Sequence, residues 1–174
     1  MSQYPAIFAG QRITAALLTS TLPLDAYKTT ATVRASTTVF ADDPDLILAL
    51  EAGATYWVEM WIKYAAVTAE QFKTTWTVPV GASGGRSRIG VSATVNDTSS
   101  GGPQGDGAFG HHNFATSLTY GTRNSAGNLS VAYEQGSVVT TTAGNVALSW
   151  AQATAGAAGT MVGSGSYIRA RRIA

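Results

Sequence analysis

An alternating stretch in the first half of the chain constrains the fold most. Residues 55–64 read TYWVEMWIKY, and successive side chains of an extended strand point to opposite faces of its sheet. One face of this predicted strand carries large apolar residues, namely Tyr56, Val58, Met60, Ile62 and Tyr64. The other face carries Trp57, Glu59, Trp61 and Lys63. Because two tryptophans fall on this second face, we expect another surface to pack against it, such as a second subunit.

Short stretches rich in Thr, Val and aromatic residues recur along the chain, separated by turn-forming sequences. Such stretches favour strands. The predicted strands cover residues 28–40, 46–50, 55–66, 72–80, 86–97, 114–120, 128–133, 137–142, 145–152 and 167–173. The pattern predicts an all-β protein with a single antiparallel β-sandwich domain, for which a jelly roll is the preferred topology. The strands at 55–66 and 72–80 are predicted to be neighbours in one sheet.

Two connecting segments are candidate sites. Residues 41–45, ADDPD, form a predicted Asp–Pro turn. Their three carboxylates suggest a metal site, but no further acidic residues follow at the spacing of a calcium loop, so a plain turn is favoured. Residues 98–112 form a predicted glycine-rich loop, and loops of that length are commonly functional. A receptor-binding role is predicted for its residues Gln104, Asp106, Phe109 and His111.

The first 27 residues differ from the rest of the chain and are predicted to form an attachment segment, followed by the sandwich domain over residues 28–174. Apolar residues recur there at helical spacing and predict a helix of about two turns over residues 11–20. So short a helix is marginal alone and must dock on a surface. Two interpretations stay open, packing on its own sandwich or anchoring to another protein. The residues predicted for such anchoring are Phe8, Arg12, Ile13, Leu17 and Leu18.

The composition excludes several function classes. Among 174 residues only 12% are charged, the net charge is +1 and there is no cysteine. A near-neutral chain has no field that would gather nucleic acid, and the lack of thiols excludes disulfides and thiolate metal sites. No apolar run reaches the roughly 18 residues that span a bilayer, and no signal-peptide pattern begins the sequence. We therefore expect no nucleic-acid or membrane partner, and synthesis in a cytoplasm.

Motifs for catalysis are weak. The sequence contains no phosphate-binding GxxxxGK[ST] pattern, no GxGxxG that opens a helix, and no predicted nucleophile elbow of a serine hydrolase. His111 and His112 are adjacent, so on a strand they face opposite sides and do not chelate one metal together. A ring of imidazoles around a three-fold axis is the alternative that stays open for them. The chain is therefore predicted to be no enzyme and to need no cofactor.

Tryptophan and arginine side chains supply a candidate interface. Trp57 and Trp61 are predicted to lie between subunits, together with Arg169 and Arg171 of the last predicted strand. Arginine suits such a position because its planar guanidinium binds carboxylates in a bidentate manner. A carbohydrate-stacking platform of tryptophans is the alternative.

Several stretches together resemble a domain of small virion proteins from tailed phages of actinobacteria. They read FAGQRITAALLTSTLP, KTTATVRASTTVFADDPDLILALEAGATYWVEMWIKYAA, FKTTWTVPVGASG and GSYIRARRIA. The resemblance is strongest over residues 8–82 and 165–174. Over residues 86–160 only the general character of the sequence is similar. Such proteins are minor tail, head-decoration or fibre-like proteins. The resemblance implies homotrimers with a jelly-roll knob similar to tumour necrosis factor, and it defines no functional residues.

The residues and the resemblance lead to one expected function and one alternative. We expect a structural protein on the surface of a phage virion, a homo-oligomer and most simply a trimer, whose partners are capsid or tail proteins. The alternative is a tail-fibre knob that binds a glycan or another receptor on the host surface.

Overall fold

The computed structural model describes residues 7–93 and 107–174, and within them the chain is nearly all β. One short helix, α1, precedes the strands and spans Ala15–Ser20. The strands are β1 Leu24–Tyr27, β2 Thr32–Arg34, β3 Ala41–Leu50, β4 Thr55–Ala66, β5 Phe72–Thr77, β6 Ser83–Val91, β7 Gly107–His112, β8 Leu118–Tyr120, β9 Ser125–Val139, β10 Gly144–Gln152, β11 Thr160–Val162 and β12 Tyr167–Arg172.

The strands form two antiparallel sheets that pack as a sandwich, as predicted. The large sheet has the order β1-β12-β4-β9-β6-β7, with β11 joining β2 to one end of β4. The small sheet has the order β3-β10-β5-β8. Early strands therefore pair with late ones in nested fashion, β1 with β12, β3 with β10, β4 with β9 and β5 with β8. This nesting of antiparallel pairs across two sheets is the jelly-roll arrangement.

The predicted alternation of β4 holds from Thr55 to Tyr64, while Ala65 and Ala66 are both buried. Its five inward residues from Tyr56 to Tyr64 are at most 3% exposed, and they face the apolar side of the small sheet. The aromatic rings of Tyr64 and Phe72 stack there with centroids 4.6 Å apart, and Trp150 packs beside Phe72. Burial of these large side chains supplies the main favourable term in folding.

The prediction that the strands at 55–66 and 72–80 are neighbours in one sheet is wrong. β4 lies in the large sheet between β12 and β9, whereas β5 lies in the small sheet between β10 and β8. The link through residues 67–71 crosses from one sheet to the other, with Gln71 at a positive φ of 51°. Both strands still bury one face in the same core, so their alternation alone does not distinguish the two arrangements.

The segment before β4 also differs from its prediction. Only residues 32–34 of the predicted strand at 28–40 are a strand. Residues 41–45 are not a turn but the start of the ten-residue strand β3. Pro44 is accommodated because β3 is an edge strand of the small sheet and its register with β10 shifts between Ala147 and Ser149.

The helix of the N-terminal segment is shorter than predicted, and the end of this segment belongs to the large sheet. The helix begins after Thr14, whose hydroxyl caps the N–H of Leu17 at 3.2 Å, rather than at residue 11. Residues 24–27, placed by sequence in the attachment segment, form β1 at the edge of the large sheet and pair with β12. We call residues 7–22 the N-terminal arm.

The predicted loop at 98–112 ends earlier than expected. Residues 107–112 form β7, the last strand of the large sheet, which pairs with β6. Residues 94–106 lie outside the described residues. The predicted strands at 128–133 and 137–142 are joined in one strand, β9, which is fifteen residues long and ends at Val139, so residues 140–142 lie outside it.

Candidate functional site: the outer face of the large sheet

The large sheet has an outer face that no described part of the chain covers. Register along six strands places one residue of each in a single line across this face. We call these residues the aromatic row: Tyr27, Tyr167, Trp61, Tyr133, Ile89 and Phe109. Because neighbouring strands are about 4.8 Å apart, the aromatic row extends for roughly 24 Å.

Much of the aromatic row is open to solvent. Trp61 is 38% exposed, Tyr27 63% and Phe109 70%. The rings of Trp61 and Tyr133 touch at a centroid distance of 6.1 Å and an interplanar angle of 58°, so the middle of the row is packed within itself. Four of the six residues are exposed and the other two, Tyr133 and Tyr167, are half-buried, so the row is unlike the scattered apolar residues of an ordinary surface.

A polar row runs beside the aromatic row, two residues further along each strand. It consists of Asp25, Arg169, Glu59, Gln135, Ser87 and His111. The Arg169 guanidinium donates from Nε to Asp25 Oδ1 at 2.7 Å and from Nη2 to Asp25 Oδ2 at 3.2 Å. The Ser87 hydroxyl lies 3.1 Å from His111 Nδ1. The polar row thus offers charged and neutral groups of both hydrogen-bonding senses.

Tyr133 connects the two rows. Its hydroxyl donates to Glu59 Oε2 at 2.8 Å. Partial burial, and then this hydrogen bond to a carboxylate, raise the pKa of Tyr133 to about 12. The phenol is therefore held neutral and oriented toward Glu59.

Trp57 and Arg171 are directly opposite each other one step beyond the polar row. Trp57 is 41% exposed, and Arg171 is exposed and makes no ion pair with any described residue. A free guanidinium beside a tryptophan is a common component of protein interfaces.

The structure gathers two of the predicted groups on this one face. The predicted interface residues Trp57, Trp61, Arg169 and Arg171 all lie on it. From the predicted receptor loop, Phe109 and His111 lie at the far edge of the same face on β7, while Gln104 and Asp106 lie outside the described residues. Tyr27, Tyr133, Tyr167 and Ile89 were not assigned from sequence, because only the register between distant strands aligns them.

The predicted attachment residues lie elsewhere, on the N-terminal arm. Phe8, Arg12, Ile13 and Leu18 are exposed and Leu17 is half-buried. No residue of α1 is buried. The apolar residues of the arm therefore do not pack into the core of their own sandwich.

A buried polar cluster around Glu134 spans the two sheets and was not found from sequence. The Glu134 carboxylate, on β9, accepts hydrogen bonds from Arg86, Thr74 Oγ1 at 2.5 Å, Trp76 Nε1 at 2.7 Å and the Tyr120 hydroxyl at 2.8 Å. We call these residues the glutamate cluster. Burial raises the pKa of Tyr120, and the neighbouring Glu134 charge raises it further. The alternation of AYEQG in β9 places Glu134 inward, which is the one sequence signal for it.

A second buried cluster surrounds Lys28, at the end of β1. Its ammonium donates to Thr32 Oγ1 at 2.7 Å, Asp43 Oδ1 at 2.9 Å and Asp45 Oδ2 at 2.8 Å. Asp43 Oδ2 accepts from Trp150 Nε1 at 3.1 Å. We call Lys28, Thr32, Asp43, Asp45 and Trp150 the lysine cluster. Two of the three carboxylates that suggested a metal in the sequence, Asp43 and Asp45, thus bind an ammonium group.

The other sequence patterns that suggested a metal site or a serine hydrolase lack the structural context that these functions need. Within residues 7–93 and 107–174, no group of three or more His, Asp and Glu side chains is arranged to hold a metal ion. Residues 81–85 read GASGG, which matches the GxSxG pattern of serine hydrolases, but they lead into strand β6 rather than a helix. No helix of the described residues is long and apolar enough to cross a membrane.

Comparison with known proteins assigns no family. No protein-family model matches the chain, and no curated protein matches it. One solved structure, described as "Structure of infectious bursal disease virus Gx strain", aligns with 99% of this chain and 41% of its own at 8% identity. The TM-score is 0.18, which does not indicate a shared fold.

Proposed function

We propose that this chain is a structural protein of a tailed-phage virion, an oligomeric β-sandwich on the particle surface as a capsid decoration, head fibre or minor tail protein. The aromatic row is the observation that carries this proposal. A long apolar strip on a flat sheet suits another flat surface, whereas sites for small molecules are concave. The resemblance of the sequence to phage virion proteins points the same way.

The size of the outer face fits a contact between copies of the chain. Each fully buried aromatic ring removes roughly 150–250 Å² from water, and a standard interface needs about 800 Å² per partner. The aromatic row together with Trp57 offers several rings of this kind on one side of the molecule. We therefore infer that the outer face is covered by a second copy in the assembled protein, with a trimer as the expected oligomer.

The charges on the outer face are of both signs, so they can pair with opposite charges on a neighbouring copy. Arg171 and Lys63 carry positive charge, and Glu59 and Asp25 carry negative charge. Arg171 has no described ion-pair partner within its own chain. An acidic group of a neighbouring copy would give it one.

The N-terminal arm is the proposed attachment to the particle. Its apolar side chains at Phe8, Ile13 and Leu18 are more than half exposed and have no place in their own core. A short helix gains stability when such a face docks in a groove of another protein. The partners proposed for it are capsid or tail proteins.

Oligomeric state tests the first part of the proposal. Light scattering after size-exclusion chromatography should give an oligomer for the wild-type chain and a monomer for the double variant Trp57→Ala, Trp61→Ala. Val80→Ala is the matched control, because Val80 is an exposed apolar residue away from the outer face. A wild-type monomer at micromolar concentration, or an unchanged oligomer in the double variant, would remove the role of the outer face.

Particle association tests the second part. A chain lacking residues 2–22 keeps all twelve strands, so it should remain folded and oligomeric but fail to co-sediment with phage particles. Leu18→Asp should have the same effect with a single change. Normal occupancy on particles after the deletion would contradict attachment through the arm.

A glycan-binding knob is the second candidate function, and the pairing of the aromatic and polar rows favours it. Sugar rings stack on aromatic faces while their hydroxyls bind polar side chains, and the two rows offer both along one line. A glycan array with wild type and Trp61→Ala tests this function. Glycan binding that is lost in Trp61→Ala would favour the knob over the virion interface, provided that Trp61 is not covered in the oligomer.

A further inference from the structure

The lysine cluster holds a primary amine and two carboxylates in a fixed arrangement at the start of the sandwich. Lys28 and Asp43 have fully buried side chains, and Asp45 is 38% exposed. The backbone of Lys28 is held on both sides, since its N–H donates to Ser166 O at 2.9 Å and its carbonyl accepts from Gly165 at 2.9 Å. The amine is therefore placed by the sheet and does not sample other positions freely.

We propose that Lys28 and Asp43 react to form an intramolecular amide bond between Lys28 Nζ and Asp43 Cγ. The Nζ atom is within 2.9 Å of the carboxylate oxygen Oδ1, so the carbon bonded to that oxygen is within reach of the amine. Groups held in contact in this way react as though at very high effective concentration. The reaction needs no oxidant, reductant or cofactor.

The first step is a proton transfer from the Lys28 ammonium to the Asp43 carboxylate. The amine lone pair then attacks Asp43 Cγ, and the new C–N bond forms. Asp45 accepts the proton that leaves Nζ and delivers it to the hydroxyl group of Asp43. The C–O bond breaks and that hydroxyl departs as water, leaving one amide and an unchanged Asp45.

The surroundings divide the roles between the two aspartates. Trp150 Nε1 donates to Asp43 Oδ2, the oxygen on which negative charge develops during attack. Asp45 has no such donor from Trp150, and its partial exposure keeps its charge hydrated, as a base that relays protons requires. Asp43 is therefore the acceptor and Asp45 the catalytic base.

The bond would join the two sheets at the point where the N-terminal segment enters the sandwich. Lys28 directly follows β1 of the large sheet, and Asp43 lies in β3 of the small sheet. A force applied through the N-terminal arm would then be borne by a covalent link rather than by the short strand β1. The inference does not depend on the proposed virion role, because the chemistry is contained in one chain.

Intact-mass measurement of the purified wild-type chain tests the proposal. We expect a mass lower than the sequence mass by one water molecule, and a protease digest in which the peptides that contain residues 28 and 43 remain joined. Wild-type protein that keeps the full sequence mass after prolonged incubation at neutral pH would overturn the proposal. So would a water loss that maps to other residues.

Two single variants test the role of Asp45. Asp45→Asn keeps the size of a partly exposed side chain and should slow amide formation by about 100-fold or more, the usual contribution of general acid–base catalysis. Asp42→Asn is the matched control, since Asp42 is the exposed neighbour that bonds to Thr77 and should leave the water loss complete. An equal rate of amide formation in wild type and Asp45→Asn, followed by intact mass over time, would contradict the catalytic-base assignment. Far-ultraviolet circular dichroism verifies that both variants fold.

Discussion

The glutamate cluster and the lysine cluster are both buried between the sheets, yet they differ in what they can do. In the glutamate cluster one carboxylate accepts four donors, and the cation is an arginine. In the lysine cluster the cation is a primary amine that contacts two carboxylates, one of which reaches solvent. A fully hydrogen-bonded buried ion pair is therefore inert or reactive according to the type of its cation and to whether protons have a route to solvent.

Arginine makes the glutamate cluster inert and structural. A guanidinium stays protonated in proteins, so it does not attack a carboxyl carbon. Arg86 instead uses its planar fork to reach Thr74 O at 2.9 Å and Thr116 O at 2.6 Å in addition to Glu134. These bonds join β6 of the large sheet to the small sheet. Lysine offers one nitrogen, which serves as a nucleophile once it loses a proton.

The largest expected effect follows from removal of the central carboxylate. Glu134→Ala leaves Arg86 buried without a counter-charge and should lower the free energy of unfolding by about 3–5 kcal/mol. Chemical denaturation measures this loss. Glu59→Ala is the control on the opposite face of the neighbouring strand and should cost about 1 kcal/mol or less. Similar losses of unfolding free energy in the two variants would mean that a buried and an exposed glutamate contribute equally to stability.

A smaller effect comes from exchanging the cation. Arg86→Lys keeps the charge but loses the donors to the carbonyls of Thr74 and Thr116, so it should cost about 1–3 kcal/mol in denaturation experiments. It also places an amine beside Glu134 without a second carboxylate. We expect no additional water loss in its intact mass. A second water loss would show that one buried carboxylate is sufficient for amide formation and that the second carboxylate does not distinguish the two clusters.

The smallest expected effect on stability comes from a tyrosine–glutamate hydrogen bond at the surface. Tyr133 donates to Glu59 there, just as Tyr120 donates to Glu134 in the interior. The pKa of Tyr133 is raised to about 12, above the ordinary value near 10 for an unfolded chain. Its contribution to stability is therefore complete below pH 10 and is lost as the pH rises toward 12. In Tyr133→Phe, stability measured by thermal unfolding should fall less steeply over that interval. An identical slope in both proteins would mean that another group titrates there.

Much of the fold follows from local patterns. The alternation in β4 determines its buried and exposed sides. The predicted pairing of β4 with β5 was wrong because a strand with one apolar face fits that pattern in either sheet. The predicted turn at 41–45 was wrong because Pro44 is tolerated in an edge strand, and only the order of strands makes β3 an edge.

The candidate site was predictable only in part. Trp57 and Trp61 were identified because two large apolar side chains on a polar face are visible in a single strand. The aromatic row was not, because its members come from six strands that are distant in sequence and meet only through register. Asp43 was predicted to lie in a turn and Lys28 was not singled out, since nothing local indicates that both are fully buried.

The amino-acid sequence is sufficient to predict that this chain forms strands with two unlike sides, one of which is too apolar to remain in water. Side-chain alternation is a property of each strand, so it is readable without a structure. Only the tertiary structure shows that six strands align their apolar residues into a row. The same is true of the amine, two carboxylates and indole N–H that meet inside the sandwich. Those contacts join residues far apart along the chain, and their positions depend on how the nested strands pair.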